Sequence, residues 1–350
     1  MIKRRKSKQI EIGNVKIGGS APISVQSMLN TDTRDIEATV RQIKELEDAG
    51  CEIVRLAVLN AQAGDALAQI KKKTSVPLVA DIHFDYRLAI KAIESGIDAL
   101  RLNPGNIGNI ENVKKVVNLA KINKTPIRIG VNGGSLDKKL EDKNLPLYEK
   151  MVKSALGHVK ILEDNDFDLI KISLKSSDVL TTIKAYEKIA TMVDYPLHLG
   201  VTEAGTLKGG LIKSSVGLGA ILAQGIGDTI RVSLTENPIE EVYAGFGILK
   251  SLNLRERGVK FVSCPTCGRT QIDLISLAKK VEKLFENYDK NITIAVMGCP
   301  VNGPGEAKHA DFGIAGAIGE GYIFQKGEII KKVPEENLLS EFEKIVKEYS

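Results

Sequence analysis

Three of the four cysteines fall in two short turns rich in glycine and proline, 264-CPTCGRT-270 and 298-GCPVNGPGE-306. Cys264 and Cys267 have the C-x-x-C spacing with which one turn offers two thiolates to the same metal, and Cys299 brings a third from a distant loop. Glycine and proline around them build rigid turns whose backbone amides are free to point at sulfur. The remaining cysteine, Cys51, stands far up the chain and reads as an inert buried thiol. Two metals suit this set. Zinc held by the three cysteines and His309 would staple the tail of the chain. An iron–sulfur cluster on three thiolates would instead leave one iron for an oxygen ligand, and Glu306 is the nearest carboxylate. Such a ligand would be labile and replaceable by substrate, which suits catalysis on an oxygen function better than electron relay.

A second group with chemical potential lies upstream. Arg55 sits in V-R-L, Arg101 in L-R-L, Arg128 in I-R-I, Arg231 in I-R-V, Lys171 in I-K-I and His198 in L-H-L, while His83 ends D-I-H. Each cation interrupts an aliphatic run that reads as a buried strand, where an uncompensated charge costs several kcal/mol. Asp81 and Glu203 are expected to serve two or three of them, but not the whole set. Cations near the C-terminal ends of strands describe a pocket for a polyanion, most simply a phosphate or diphosphate ester. Asn103, Ser173 and Ser233 follow Arg101, Lys171 and Arg231 at two-residue spacing, which places them on the same strand face. Asn132 lies on the face of Arg128, and Lys175 also reaches inward. The Gly-rich stretches 133–135 and 204–210 read as loops whose amides approach phosphate. His158 falls mid-helix and reads as packing.

The elements that must position these residues alternate. Strands are expected at 22–28, 52–58, 77–83, 98–103, 126–132, 168–174, 196–202 and 228–234, after a short strand around 9–19. Amphipathic stretches of helical length lie between them, at 35–50, 60–74, 109–123, 148–165, 177–193 and 239–252. Repeated strand–helix units imply a parallel sheet covered by helices, and the number of units fits a closed TIM (β/α)₈ barrel better than an open doubly wound sheet. After residue 254 the character changes: the cysteine turn, a helix at 273–288, a strand at 292–298, a hairpin at 321–333 and a terminal helix at 335–348. The expected organisation is a barrel over 1–254 that binds substrate, followed by a small α+β iron–sulfur domain over 255–350.

The bulk composition excludes several classes. A chain of 350 residues, 43% apolar and 27% charged, is that of a soluble globular protein, and no apolar run approaches a membrane span. A cytoplasmic protein is expected, with no membrane and no nucleic-acid partner. The basic run 3-KRRK-6 reads as a solvated tail, because no aromatics alternate with its charges. A module that binds RNA through this run and a zinc knuckle fits poorly, since the arginines lie in strands and aromatics make up 5% of residues.

The motifs 264-CPTCGRT-270, 298-GCPVNGPGE-306, 199-LGVTEAG-205, 228-DTIRVSLT-235 and 171-KISLKSSDV-179 together resemble the 4-hydroxy-3-methylbut-2-en-1-yl diphosphate synthase family, in its compact bacterial form. The resemblance runs over nearly the whole chain. It implies a 4Fe–4S cluster on Cys264, Cys267, Cys299 and Glu306, whose unique iron binds the substrate oxygen. It implies the substrate 2-C-methyl-D-erythritol 2,4-cyclodiphosphate, opened and dehydroxylated in a two-electron reduction. The matching substrate positions are Arg55, Arg101, Arg128, Lys175, Arg231 and Ser233, with Asn132 and His83 beside them, and Glu203 is the matching proton donor or polar stabiliser. Reduced ferredoxin or flavodoxin would supply electrons to a homodimer in which one subunit's cluster domain closes over the other's barrel. The alternative is a barrel enzyme acting on another phosphorylated or pterin-like substrate, with structural zinc in the tail.

Overall fold

The computed structural model describes residues 2–349 except 135, 137–143, 287, 289 and 300–306. The chain divides into two compact units, Met1–Arg255 and Glu256–Ser350.

The first unit begins with a hairpin, β1 (Ile10–Ile12) against β2 (Val15–Ile17), where a single strand was expected. Its strands then alternate with helices: β3 (Ser24–Met28), α1 (Ile36–Asp48), β4 (Ile53–Ala57), α2 (Ala61–Lys72), β5 (Leu78–Asp81), α3 (Tyr86–Glu94), β6 (Ala99–Arg101) and α4 (Ile110–Ile122). The second half runs β7 (Ile127–Asn132), α5 (Leu147–Glu163), β8 (Ile170–Lys175), α6 (Val179–Ala190), β9 (His198–Leu199), α7 (Leu207–Ala223), β10 (Thr229–Ile230) and α8 (Pro238–Ser251). The parallel sheet has the order β8-β7-β6-β5-β4-β3-β10-β9. A parallel bridge between Ile172 and Leu197, with the Ile172 amide donating to the Pro196 carbonyl at 3.0 Å, joins its two ends into the expected barrel.

Local chemistry starts most of these helices where the strands stop. Asp35, Asn60, Asp85, Asn109, Asp178 and Asn237 each cap a helix by accepting a backbone N–H, a bond worth about 1 kcal/mol apiece. The Gly-rich stretch 204–210 only partly forms a loop, because Leu207 already begins α7. Glycine's low helix propensity hid that turn, and packing against the barrel overrides it.

Period-two alternation gives the barrel strands two faces of opposite character. Val54, Leu56, Leu78, Ala80, Leu100, Ile129, Ile172, Leu174, Leu199, Ile230 and Val232 face outward and join the helices in the main core. The inward positions are aliphatic only at the base of β4–β6, where Ile53, Val79 and Ala99 meet Ile10, Ile12 and Ile17 of the hairpin. The hairpin is therefore a plug, and above it the interior turns polar.

The basic N-terminal run is not the solvated tail expected of it. Arg4 donates to the Ala21 carbonyl at 2.5 Å and to Asp228 at 3.0 Å, and Arg5 to the Val193 and Tyr195 carbonyls at 2.6 Å each. The Ser7 hydroxyl donates to Asp228 at 2.8 Å, and Lys8 pairs with Asp168. Asp228 is buried and also accepts from the Leu197 amide at 2.9 Å. One carboxylate thus ties the N-terminal strap to β9 and β10.

The second unit is a sheet of order β11-β12-β13-β14-β15, formed by Lys260–Ser263, Thr293–Met297, Phe312–Ala317, Glu320–Gln325 and Glu328–Pro334. The first three strands run parallel and the last three antiparallel. Strands β11 and β13 escaped the sequence reading. In β13, FGIAGA, glycines stand where Phe324 and Ile272 pack, so no alternation of large residues marks it. Helices α9 (Leu274–Leu284) and α10 (Leu338–Tyr349) share a core with this sheet through Val281, Phe342 and Val346. Among the described residues no helix is long and apolar enough to cross a membrane.

Replacing Asp228 with alanine leaves the part-buried guanidiniums of Arg4 and Arg5 without their carboxylate. We expect the barrel to lose roughly 3 kcal/mol in denaturant unfolding. A loss under about 1 kcal/mol would show that the strap is ornamental.

Candidate substrate and cysteine sites

Inward positions at the C-terminal ends of the strands enclose a cavity of about 180 Å³. Ten of the twelve residues lining it were singled out from the sequence: Arg55, His83, Arg101, Arg128, Asn132, Ser173, Lys175, Arg231 and Ser233, with Asp81 as their counter-charge. The other two are Gly130 and Thr202. Thr202 and Gly130 were legible in principle, since each continues an inward period-two series, from His198 through Gly200 and from Arg128 respectively.

Five cations face one carboxylate in this lining, and what fixes each one differs. Arg101 donates to Asp81 at 3.2 Å and to the Gly130 carbonyl at 3.1 Å. A Cβ on Gly130 would stand 2.7 Å from the Arg101 Nε, so glycine is what lets the guanidinium lie against β7. Gly200 makes the matching space for the Lys175 Nζ, also 2.7 Å from where its Cβ would be. Arg55 stacks its donors on the Met28 sulfur at 2.7 and 3.0 Å, with Asp81 at 3.8 Å. Arg231 reaches both oxygens of Glu241 at 3.3 Å. Glu241 is buried on α8, where it also accepts from the Ser27 hydroxyl and the Leu234 amide. It is the second counter-charge, a role expected of Glu203. No sequence spacing marked it, because it arrives from a helix packed behind the strands.

Electrostatics follow from this crowding. Burial works against the Asp81 carboxylate, but the His83 hydrogen bond and the charges of Arg55 and Arg101 outweigh it and hold its pKa below the ordinary range. Burial brings Arg55 down to about 10, with Asp81 opposing and Arg231 and Arg101 adding to the fall. Burial, then Arg128, Arg231 and Arg55, push the Lys175 ammonium well below its usual range. The cavity is a concentrated positive field waiting for an anion.

Four residues expected at this site lie outside the lining. The Asn103 amide clamps β7, donating to the Gly130 carbonyl and accepting from its N–H at 2.9 Å each. Lys171 and His198 are fully buried and absent from the lining, because they precede the mouth-level residues of their strands. Glu203 is exposed just past Thr202, with φ at 52°, a left-handed backbone that a glutamate rarely adopts. His158 accepts from the Gly105 amide, in keeping with packing.

In the second unit, β11 and β12 are adjacent and parallel, with Ser263 beside Val296. Cys264 leaves the end of β11 and Cys299 follows the end of β12, so neighbouring strands deliver both to one edge. All three cysteines are free thiols. The Gly298 amide donates to the Cys264 sulfur at 3.3 Å, and the Arg269 backbone and side chain hold the Cys267 thiol below its ordinary pKa. Free thiols with backbone N–H donors aimed at sulfur fit a thiolate-held group. Among the described residues no three ligating side chains converge, and Glu306 lies outside the described residues. His309 is exposed. Cys51 is buried, its thiol pushed up to about 12 by burial, which fits an inert role.

A GcpE TIM-barrel domain matches residues 7–246, and a GcpE protein C-terminal domain matches residues 260–348. The 4-hydroxy-3-methylbut-2-en-1-yl diphosphate synthase (flavodoxin) of Dehalococcoides mccartyi is 60% identical over 339 residues, covering 97% of each chain. The protein of the same name from Geobacter sulfurreducens is 59% identical over 350 residues, covering 99% of each. Among solved structures, dihydropteroate synthase from Stenotrophomonas maltophilia matches 71% of this chain and 97% of its own, with a TM-score of 0.54 at 13% identity. That last likeness is one of fold alone.

Filling the cavity with a polyanion should return Lys175 to its charged form, so binding takes up a proton. Affinity for inorganic pyrophosphate should therefore fall as pH rises from the depressed lysine pKa of the free site toward the higher pKa of the complex. Calorimetry in buffers of different ionisation enthalpy reads the proton directly, and binding without uptake across that range would refute it.

Proposed function

The chain belongs to the GcpE family, and on that premise we propose that it converts 2-C-methyl-D-erythritol 2,4-cyclodiphosphate to 4-hydroxy-3-methylbut-2-enyl diphosphate by reductive ring opening and dehydroxylation, a step of the methylerythritol phosphate pathway. The observation that carries this reading is the cavity whose lining sets Arg55, Arg101, Arg128, Lys175 and Arg231 against Asp81, in a chain so close to relatives of that name. Residues 1–254 form the substrate-binding domain and residues 255–350 the cluster domain. The alternative of another phosphorylated or pterin-like substrate with structural zinc finds no such support.

The barrel residues bind and orient. Arg101 held by Asp81 and Gly130, and Arg231 held by Glu241, are positioned before substrate arrives, so little reorganisation is left for the reaction. Opening the cyclic ester frees a phosphate oxygen and raises the negative charge on the diphosphate. A fixed cation ring stabilises that later charge more than the starting one, which is the condition for lowering a barrier. Asn132, Ser173, Ser233 and Thr202 add neutral polar contacts, and His83, half-exposed beside Asp81, contributes a donor at the rim. Glu203 delivers a proton to the departing hydroxyl, from a loop in which its backbone is left-handed. A 4Fe–4S cluster on Cys264, Cys267, Cys299 and Glu306 would supply the two electrons and a Lewis-acidic iron. Reduced flavodoxin is the donor named for the relatives and the one we assign here, in the cytoplasm.

We also assign a homodimer. The exposed face of α7 carries Leu211, Ile212 and Val216, with Ile212 60% exposed, an apolar surface of the kind a second copy covers.

Protein purified without oxygen should be brown, with four irons and four sulfides per chain, and should turn over with reduced flavodoxin. Cys299→Ser should lose the colour, and Glu203→Gln should keep the colour and lose turnover about 10²–10⁴-fold. A colourless zinc protein, or full turnover in either variant, would sink the reading. Ile212→Glu should sediment as a monomer; an unshifted boundary would remove α7 from the interface.

A further inference from the structure

Beneath the substrate cavity the barrel encloses a tier of polar groups that nothing among the described residues satisfies. Lys171 Nζ, Arg128 Nε and Nη1, His198 Nε2, both amide atoms of Gln26 and Ser24 Oγ all lack a hydrogen-bond partner. None of these residues is more than 2% exposed. The strand registers set Arg128 beside Lys171 across β7 and β8, and His198 beside Thr229 and Thr229 beside Ser24 across β9, β10 and β3. Barrels ordinarily fill such layers with branched aliphatics. Here the interior carries inward-facing polar groups, with Lys171 and Arg128 as donors only, between the hairpin plug below and the cavity above.

Charge decides what belongs there. Arg128 and Lys171 are donors only, so they cannot satisfy one another. The nearby carboxylates are engaged elsewhere: Asp81 with Arg55, Arg101 and His83, Asp228 with Arg4 and Arg5, and Glu241 with Arg231. His198 Nδ1 is taken by the Thr229 hydroxyl at 2.5 Å, which leaves Nε2 facing the interior. Burial, then Arg128, hold the Lys171 ammonium well below its usual range, and burial, then Arg128 and the two lysines, do the same to His198. Water would satisfy the hydrogen bonds but leave the positive charge buried at Arg128 and Lys171 without a counter-charge, at the cost of the Lys171 proton.

We propose that this tier is a resident anion site, in which a small monovalent inorganic anion of chloride size is held by Lys171 Nζ, the Arg128 guanidinium and His198 Nε2, with the Gln26 amide beside it. The anion is a permanent counter-charge. It keeps Lys171 protonated and fixes the Arg128 floor of the cavity, while the substrate's own charge is met by the cations above. The site is independent of the proposed reaction and would exist in the chain whatever the cavity binds.

Crystals of the cluster-loaded protein grown with bromide in place of chloride, and with inorganic pyrophosphate filling the mouth, test this directly. The expected result is an anomalous bromide peak bounded by Lys171, Arg128 and His198, absent in Lys171→Met. Bromide only in the mouth, or ordinary water at the tier, would overturn the proposal. In solution, chloride should raise the unfolding midpoint over methanesulfonate at equal ionic strength, by about 3–5 °C when the site is well saturated. That increment should vanish in Lys171→Met and, should that variant not fold, in Gln26→Leu. Equal midpoints for the unsubstituted protein in both salts would equally count against it.

Discussion

Cations enclosed in a parallel barrel have no water to fall back on, and the first unit is arranged around that one constraint. Five of them line the mouth and a sixth, Lys171, lies below. Two buried carboxylates answer those at the mouth, Asp81 from inside the barrel and Glu241 from a helix, while Asp228, from the turn before β10, is taken up by Arg4 and Arg5 of the strap. Asp81 serves Arg55 and Arg101 and Glu241 serves Arg231, which is too little to neutralise the ring. The surplus of positive charge is the property that suits the cavity to a polyanion, and it is maintained at the expense of stability.

Because the interior is occupied by charge, hydrophobic stabilisation has moved outward and downward. The outward strand faces and the helices carry the main core, and the β1–β2 hairpin closes the base with Ile10, Ile12 and Ile17. The N-terminal strap braces this end, spending its own arginines on backbone carbonyls and Asp228. A barrel with an aliphatic interior would need neither device. The second unit solves a different problem, since adjacent parallel strands bring Cys264 and Cys299 to one edge while the Gly298 amide faces the Cys264 sulfur.

Alternation of strand and helix and the cations set in most of the strands are local facts. They were enough for the barrel and for most of the residues that line its cavity. Elements whose pattern is not local were missed or mistaken. Strand β13 is built of small residues shaped to a neighbouring Phe324, and the first turn of α7 is glycine-rich, so neither shows the periodicity of its type. The run 3-KRRK-6 reads as solvated because its partners, the carbonyls of residues 21, 193 and 195, are remote in sequence.

The sequence by itself determined which side chains share an inward face, because period-two spacing fixes that wherever a strand forms. Depth along the barrel, and the identity of each counter-charge, were decided only by the tertiary structure. Lys171 and Lys175 differ by four residues on one face, yet one is sealed in the interior and the other lines the cavity. Glu203 and Glu241 are both acidic residues near the mouth, yet it is Glu241 that reaches Arg231. Both outcomes depend on strand register and helix packing, which are properties of the closed ring rather than of any one segment.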